Sequence, residues 1–150
     1  MHPALPALQL IQCDFQDMRD RVLPPIPLNI LEFNAEQLPS AMRERGVDII
    51  ICINMIHISP FECTHALFRT ANAIGNEHVR VLTYGPYRVN GFMVESNVAF
   101  DASLKARNPL WGVRDIEAVE AIAGENGFTL IETKSMPANN LCLIFGRRKD

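Results

Sequence analysis

Asn54 and His57 stand where an apolar run turns polar, and their types suit chemistry. An imidazole titrates near neutral pH and can take a proton from a hydroxyl or an amine. A carboxamide donates and accepts hydrogen bonds, so Asn54 can orient a polar ligand. Both lie in VDIIICINMIHISP, Val47–Pro60. The first half of that stretch, between Gly46 and Pro60, reads as a fully buried strand. In an open parallel sheet, ligands bind in the crevice beyond the carboxyl ends of the strands. Both residues fall at such an end. They serve equally well, on type alone, as partners for backbone groups at a strand–helix junction. Asp14 ends an earlier short strand, Gln9–Cys13. A carboxylate there accepts two hydrogen bonds from a ribose diol, or caps the polar stretch Gln16–Arg21.

The elements that must position these side chains alternate. Pro24, Pro25 and Pro27 break the chain, and Leu28–Phe33 (LNILEF) is expected as a strand. Ala35–Arg45 is expected as a helix with Pro39 in its first turn and Gly46 closing it. After the central strand, Ser59 as N-cap and Pro60 at the first helical position open a helix over Phe61–Ile74, where Leu67, Phe68, Ala71 and Ile74 share a face. Val79–Tyr84 is the next strand, ending in Gly85-Pro86-Tyr87. A short helix from Ser96-Asn97 to about Arg107 is unusually polar for a connector. Asp115 can cap a helix over Ile116–Glu125. Strands follow at Phe128–Lys134 and Leu141–Phe145, and the basic tail Arg147–Lys149 is expected to be solvated. The last two strands are too close for a crossover helix, so they pair antiparallel. The sum is one α/β domain with a mainly parallel sheet.

Composition narrows the function. The chain has 150 residues, 48% hydrophobic and 21% charged, with net charge -3, which suits one globular domain. No basic stripe favours a nucleic-acid backbone. No apolar run approaches the ~18 residues of a membrane span, and the N-terminus is a poor signal peptide. The four cysteines lack C-x-x-C spacing and are expected as free thiols of a reducing, cytoplasmic setting. The histidines lack ligand spacing, so no metal is expected. No two of the eight glycines are separated by a single residue, so neither a G-x-G-x-x-G nor a G-x-S-x-G motif occurs.

Five stretches agree in order and spacing with one family: CINMIHISP (Cys52–Pro60), LTYGPYRVNG (Leu82–Gly91), ESNVAFDASLKARNP (Glu95–Pro109), WGVRD (Trp111–Asp115) and MPANNLCLIF (Met136–Phe145). Together they resemble the methyltransferase-like protein 26 family of animals, whose bacterial relatives are labelled a domain of unknown function. That family is similar to class I S-adenosylmethionine-dependent methyltransferases. The resemblance implies a Rossmann-like sheet, mostly parallel, with an antiparallel C-terminal strand. It implies S-adenosylmethionine (SAM) as cofactor and a small-molecule acceptor whose identity it does not supply. Asp14 would hold the ribose, with Glu32 and Phe33 near the adenine. Asn54, Met55 and His57 would line the methyl end, His57 and Asn54 acting in catalysis. Tyr84, Tyr87, Asn97, Arg107, Arg114, Asn139 and Asn140 would form the acceptor side. Pairing with Asp101 or Asp115 is the competing role for the two arginines, and ordinary packing for the two tyrosines.

One departure stands out. The family carries an opening strand and a glycine-rich loop, like E-x-A-x-G-x-G, before the segment that matches Leu8–Cys13, and this sequence has neither. The expectation is an N-terminally truncated domain with weak or absent cofactor binding. Its open strand edges favour pairing with another chain, as in a homo-oligomer. A non-catalytic remnant or interaction module is the alternative to the enzyme.

Overall fold

The computed structural model describes residues 22–149. Among the described residues the first α-helix is α1 (Ser40–Arg45), closed by Gly46 at φ 76°. The chain continues through β1 (Val47–Ile53), α2 (Glu62–Ile74), β2 (Gly75–Gly85), β3 (Tyr87–Arg88), α3 (Glu95–Arg107), β4 (Arg114–Asp115), α4 (Ile116–Glu125), β5 (Phe128–Met136) and β6 (Asn140–Arg147). The main sheet has the order β1-β2-β6-β5. β1 and β2 are parallel, with Ile53 opposite Tyr84. β6 runs antiparallel to both its neighbours, β2 and β5. Three of the four strands therefore share one direction and β6 opposes them, as expected of a mostly parallel sheet with a reversed last strand. β3 and β4 form a separate two-stranded parallel pair.

The core lies on one face of the sheet. Leu67, Phe68 and Ala71 of α2, with Ile116, Val119, Ile122 and Ala123 of α4, pack onto Val79, Val81, Leu143 and Phe145. Phe68 sits between Phe128 and Phe145, its ring centroid 5.8 and 5.0 Å from theirs, in the tilted and edge-on arrangements that aromatic quadrupoles favour. Arg147 clasps the α2–β2 turn by donating to the carbonyls of Asn72, Gly75 and Asn76 and lies over the Phe128 ring, so it is not the solvated tail residue expected.

Four expectations are corrected. β1 is an edge strand among the described residues, and Ile49, Ile51 and Ile53 are 55%, 64% and 61% exposed on the face opposite the helices. An unbroken apolar run does not distinguish a central strand from an edge strand whose second face is open. Leu28–Phe33 is not a strand: the Asn29 side chain accepts from the Leu31 N–H and turns Ile30–Glu32 into a 3-10 helix. Short-range capping by Asn thus overrides the apolar pattern. Ala35–Arg45 is broken at Pro39 into a 3-10 turn, Ala35–Gln37, held by a capping box from Asn34, and the short α1. Ser59 does not cap α2, which starts at Glu62; its hydroxyl donates to the Met55 carbonyl instead. The expected strand Gln9–Cys13, with Asp14, lies outside the described residues. Among the described residues, no helix is long and apolar enough to cross a membrane.

The two faces predict opposite mutational costs. Phe68→Ala should lower unfolding stability by ~3–5 kcal/mol. Ile51→Thr on the open face should change it by no more than about 0.5 kcal/mol. Paired urea melts measure both, and a similar cost at the two sites would contradict this assignment of the core.

Candidate active site at the strand ends

β1 and β2 end side by side. Asn54 leaves β1 in the left-handed region at φ 56°, which Asn tolerates better than most residues, and its N–H donates to the Tyr84 carbonyl. A 3-10 turn, Ile56–Ile58, then folds His57 back beneath the sheet end, where it is 5% exposed. The imidazole rests on Gly85: a Cβ there would lie 3.0 Å from Nδ1 and 3.2 Å from Cε1 of His57. Its other face meets Phe100 edge-on, with centroids 5.6 Å apart. The competing role for His57 was a side-chain hydrogen bond at the strand end. Among the described residues the ring makes none.

The buried stripe of α3 is Asn97, Asp101 and Leu104, at i, i+4 and i+7, so two of its three inward positions are polar. Hydrogen bonds rather than apolar burial fix this helix. Asp101 accepts from the Val113 N–H at 2.7 Å and pairs with Lys105 at 2.5 Å. Beside it, Gly112 takes φ 150°, where a Cβ would fall 2.9 Å from the Asp101 carboxylate, and the Gly112 N–H donates to the His57 carbonyl at 3.0 Å. Burial pushes the Asp101 carboxyl up. Lys105, the Val113 N–H and Arg88 outweigh this and hold it below the usual carboxylate range. The chain Asp101, Gly112–Val113, His57 joins α3 to the end of β1.

The β5–β6 connection completes the site. Ala138 and Asn139 are both left-handed, at φ 58° and 56°. Asn97 donates from Nδ2 to the Asn139 carbonyl at 3.2 Å, Asn139 donates to Ser96 Oγ at 3.1 Å, and Asn140 donates to Tyr84 Oη at 3.1 Å. A cavity of about 540 Å³ opens between these elements, lined by Asn54, His57, Ser96, Asn97, Phe100, Arg107 and Asn140 among others. It lies beyond the ends of β1 and β2, where an open sheet offers its crevice.

Of the residues singled out in the sequence, Asn54, His57, Asn97, Arg107 and Asn140 meet in this cavity. Tyr84 and Asn139 touch its walls through Asn140 and Asn97. Met55 packs towards the core. Tyr87 is buried, donates to Thr83 Oγ1 at 2.8 Å and lines a second, adjoining cavity rather than this one; burial raises its phenol. Arg114 donates from Nη2 to the carbonyls of Ser59 and Leu110 and stacks 4.9 Å over Phe61, while its buried Nε has no partner among the described residues. Among the described residues neither arginine pairs with an acid: Lys105 holds Asp101 and Arg88 holds Asp115. Glu32 is exposed on the 3-10 turn that packs against α2, and neither it nor Phe33 lines the cavity. Asp14 lies outside the described residues. Sequence reading missed Asp101, Gly112 and Gly85 as supports of the site. The polar run of α3 was the available signal for the first of them. Among the described residues no three His, Cys, Asp or Glu side chains gather as a metal set.

Burial, reinforced by the Arg114 charge, lowers the His57 pKa below its ordinary value of 6.5, so the ring is neutral at pH 7. The unfolded chain takes up a proton near 6.5 that the folded site refuses. This contribution to stability is therefore present above that pH and lost as pH falls below it. His57→Asn should flatten the loss of melting temperature between pH 7 and about 5 relative to the parent. Parallel slopes for the two proteins would contradict a lowered His57 pKa.

The chain matches the family model described as Protein of unknown function (DUF938) over residues 9–147. Among solved structures it is similar to LaPhzM, at 12% identity and TM-score 0.70, over 93% of this chain and 40% of that one. It is similar to the mitomycin 7-O-methyltransferase MmcR, at 14% identity and TM-score 0.69, over 94% and 38%. It is also similar to CalO1, a methyltransferase in calicheamicin biosynthesis solved in its SAH-bound form, at 15% identity and TM-score 0.58, over 70% and 32%. The chain thus spans two fifths or less of these proteins. At such identities the likeness shows the fold: a methyltransferase-like α/β sheet.

Proposed function

The chain belongs to the DUF938 family of proteins of unknown function, and on that footing we propose that it is a SAM-dependent methyltransferase acting on a small acceptor. The observation that carries this reading is the buried, unbonded His57 imidazole beside Asn54 at the adjoining ends of two parallel strands. The five motifs that resemble the methyltransferase-like protein 26 family include both residues and support it.

The described residues fit one end of the cofactor. The Asn54 carboxamide stands on the cavity wall with no side-chain hydrogen bond among the described residues, and Gly85 lets the His57 ring pack close beside it. These residues suit the methionine end. Bound SAM would supply an electrophilic methyl group carried on a sulfonium. The neutral His57 imidazole accepts the proton of an acceptor hydroxyl or amine as it becomes a nucleophile. Asn54 holds the acceptor in line beside the apolar edges of Phe100, Ile58 and Pro86.

A second reading is a non-catalytic interaction module that keeps the acceptor side alone. The open isoleucine face of β1 and the position of Glu32 and Phe33 away from the cavity favour it. Calorimetric titration with S-adenosylhomocysteine separates the two. The methyltransferase reading expects saturable binding in the micromolar range, weakened at least about tenfold by Asn54→Ala, the loss of one well-placed hydrogen bond to a charged group. No binding by the folded chain, or binding indifferent to Asn54, would overturn it in favour of the module.

A further inference from the structure

A second cavity, of about 400 Å³, adjoins the first and shares Asn97 and Asn140 with it. The two differ in chemistry. The second is walled by Val89, Phe92, Met93, Val94 and Met136, and Phe92 is 80% exposed at its rim. A large aromatic side chain left this open in a concave, apolar surface marks a contact site. Its rim is fixed by the β-bridge between Val89 and Phe92, whose N–H and carbonyl groups exchange bonds of 3.0 and 2.9 Å around the Asn90-Gly91 turn. The Asn90 N–H also donates to Glu117, which ties the turn to α4.

The first cavity is polar and carries one cation. Arg107 stacks 5.7 Å from the Trp111 ring and spends only Nε on the Ser103 carbonyl, so its terminal nitrogens have no partner among the described residues. No carboxylate among the described residues lines either cavity. The unpaired guanidinium therefore faces a space with donors and no compensating acid, which suits an anion. Asn97 and Asn140, already fixed by their bonds to Asn139 and Tyr84, stand at the junction.

We infer that the acceptor is an amphipathic organic anion, a carboxylate or similar group on an aromatic or branched apolar body. The apolar body lies in the Val89–Val94 and Met136 cleft, and the anionic end reaches Arg107 past the Asn97–Asn140 junction. This assignment rests on the first cavity being the acceptor side of the proposed methyltransferase. The two halves together form a site in the size range of small-molecule pockets, about 300–1,000 Å³.

Three probes test it by calorimetry on the full chain: 3-phenylpropanoate, its neutral primary amide, and acetate. The expected order is saturable binding of the propanoate at least about tenfold tighter than the amide, with no saturable binding of acetate. Arg107→Gln, at an exposed position, should erase the preference for the anion. Phe92→Ser should weaken both aromatic probes alike and leave their ratio unchanged. Equal affinities in the parent protein, a preference that survives Arg107→Gln, or no saturable binding of either aromatic probe would overturn the assignment. S-adenosylhomocysteine is titrated in parallel. Probe binding without S-adenosylhomocysteine binding removes the methyltransferase reading and leaves the cleft, whereas S-adenosylhomocysteine binding without probe binding removes only this acceptor class.

Discussion

A buried carboxylate holds the site together. Asp101 faces inward from a helix with almost no apolar side to bury, and it takes the Val113 N–H and the Lys105 ammonium. That pairing fixes the loop before β4 so closely that position 112 accommodates glycine alone without movement. The same loop then reaches the His57 carbonyl through the Gly112 N–H. Without Asp101, α3 loses its tie to the loop, Phe100 loses its register against the imidazole, and the cavity loses one wall. A polar group buried and satisfied in this way contributes little net stability, yet leaving its partners unpaired costs more than an exposed contact would. The arrangement favours a defined geometry over a tightly sealed core.

Position in the sheet supplies the rest. β1 and β2 run parallel and end together, so the left-handed Asn54, the compact Gly85 and the folded-back His57 converge without any long-range device. The antiparallel β6 brings in the Asn139–Asn140 corner from the opposite direction. Five side chains from three regions of the sequence meet in one cavity because parallel strands place their carboxyl ends on the same side. The charge balance of that cavity, one arginine and no acid among the described residues, is a property of the assembled site and invisible in the net charge of the chain.

Much of this was legible in the sequence. The α/β alternation, the helices α2, α3 and α4, and the reversed pairing of the last two strands follow from periodicity and turn residues. Asn54 and His57 stood out because a polar pair closes an apolar run. The failures have local causes. An apolar run cannot report that Ile49, Ile51 and Ile53 lack a covering layer among the described residues, because edge and centre strands share the same residue types. LNILEF has strand composition, but Asn29 offers the backbone a shorter route into a turn. Arg114 has the right type for a substrate wall, yet it satisfies loop carbonyls and lines neither cavity. Such choices between ligand and scaffold depend on partners far apart in sequence, which no local pattern encodes.

The fold is shared with solved methyltransferases, and a fold by itself permits several chemistries. The central claim concerns place: the ends of β1 and β2, around His57, are where this protein meets its ligand. Backbone amide chemical shifts recorded by NMR during addition of S-adenosylhomocysteine test that most directly. The account predicts that the perturbed amides cluster at Asn54, His57, Gly85 and Gly112. Shifts confined instead to the open face at Ile49–Ile53, with those four amides unmoved, would contradict it.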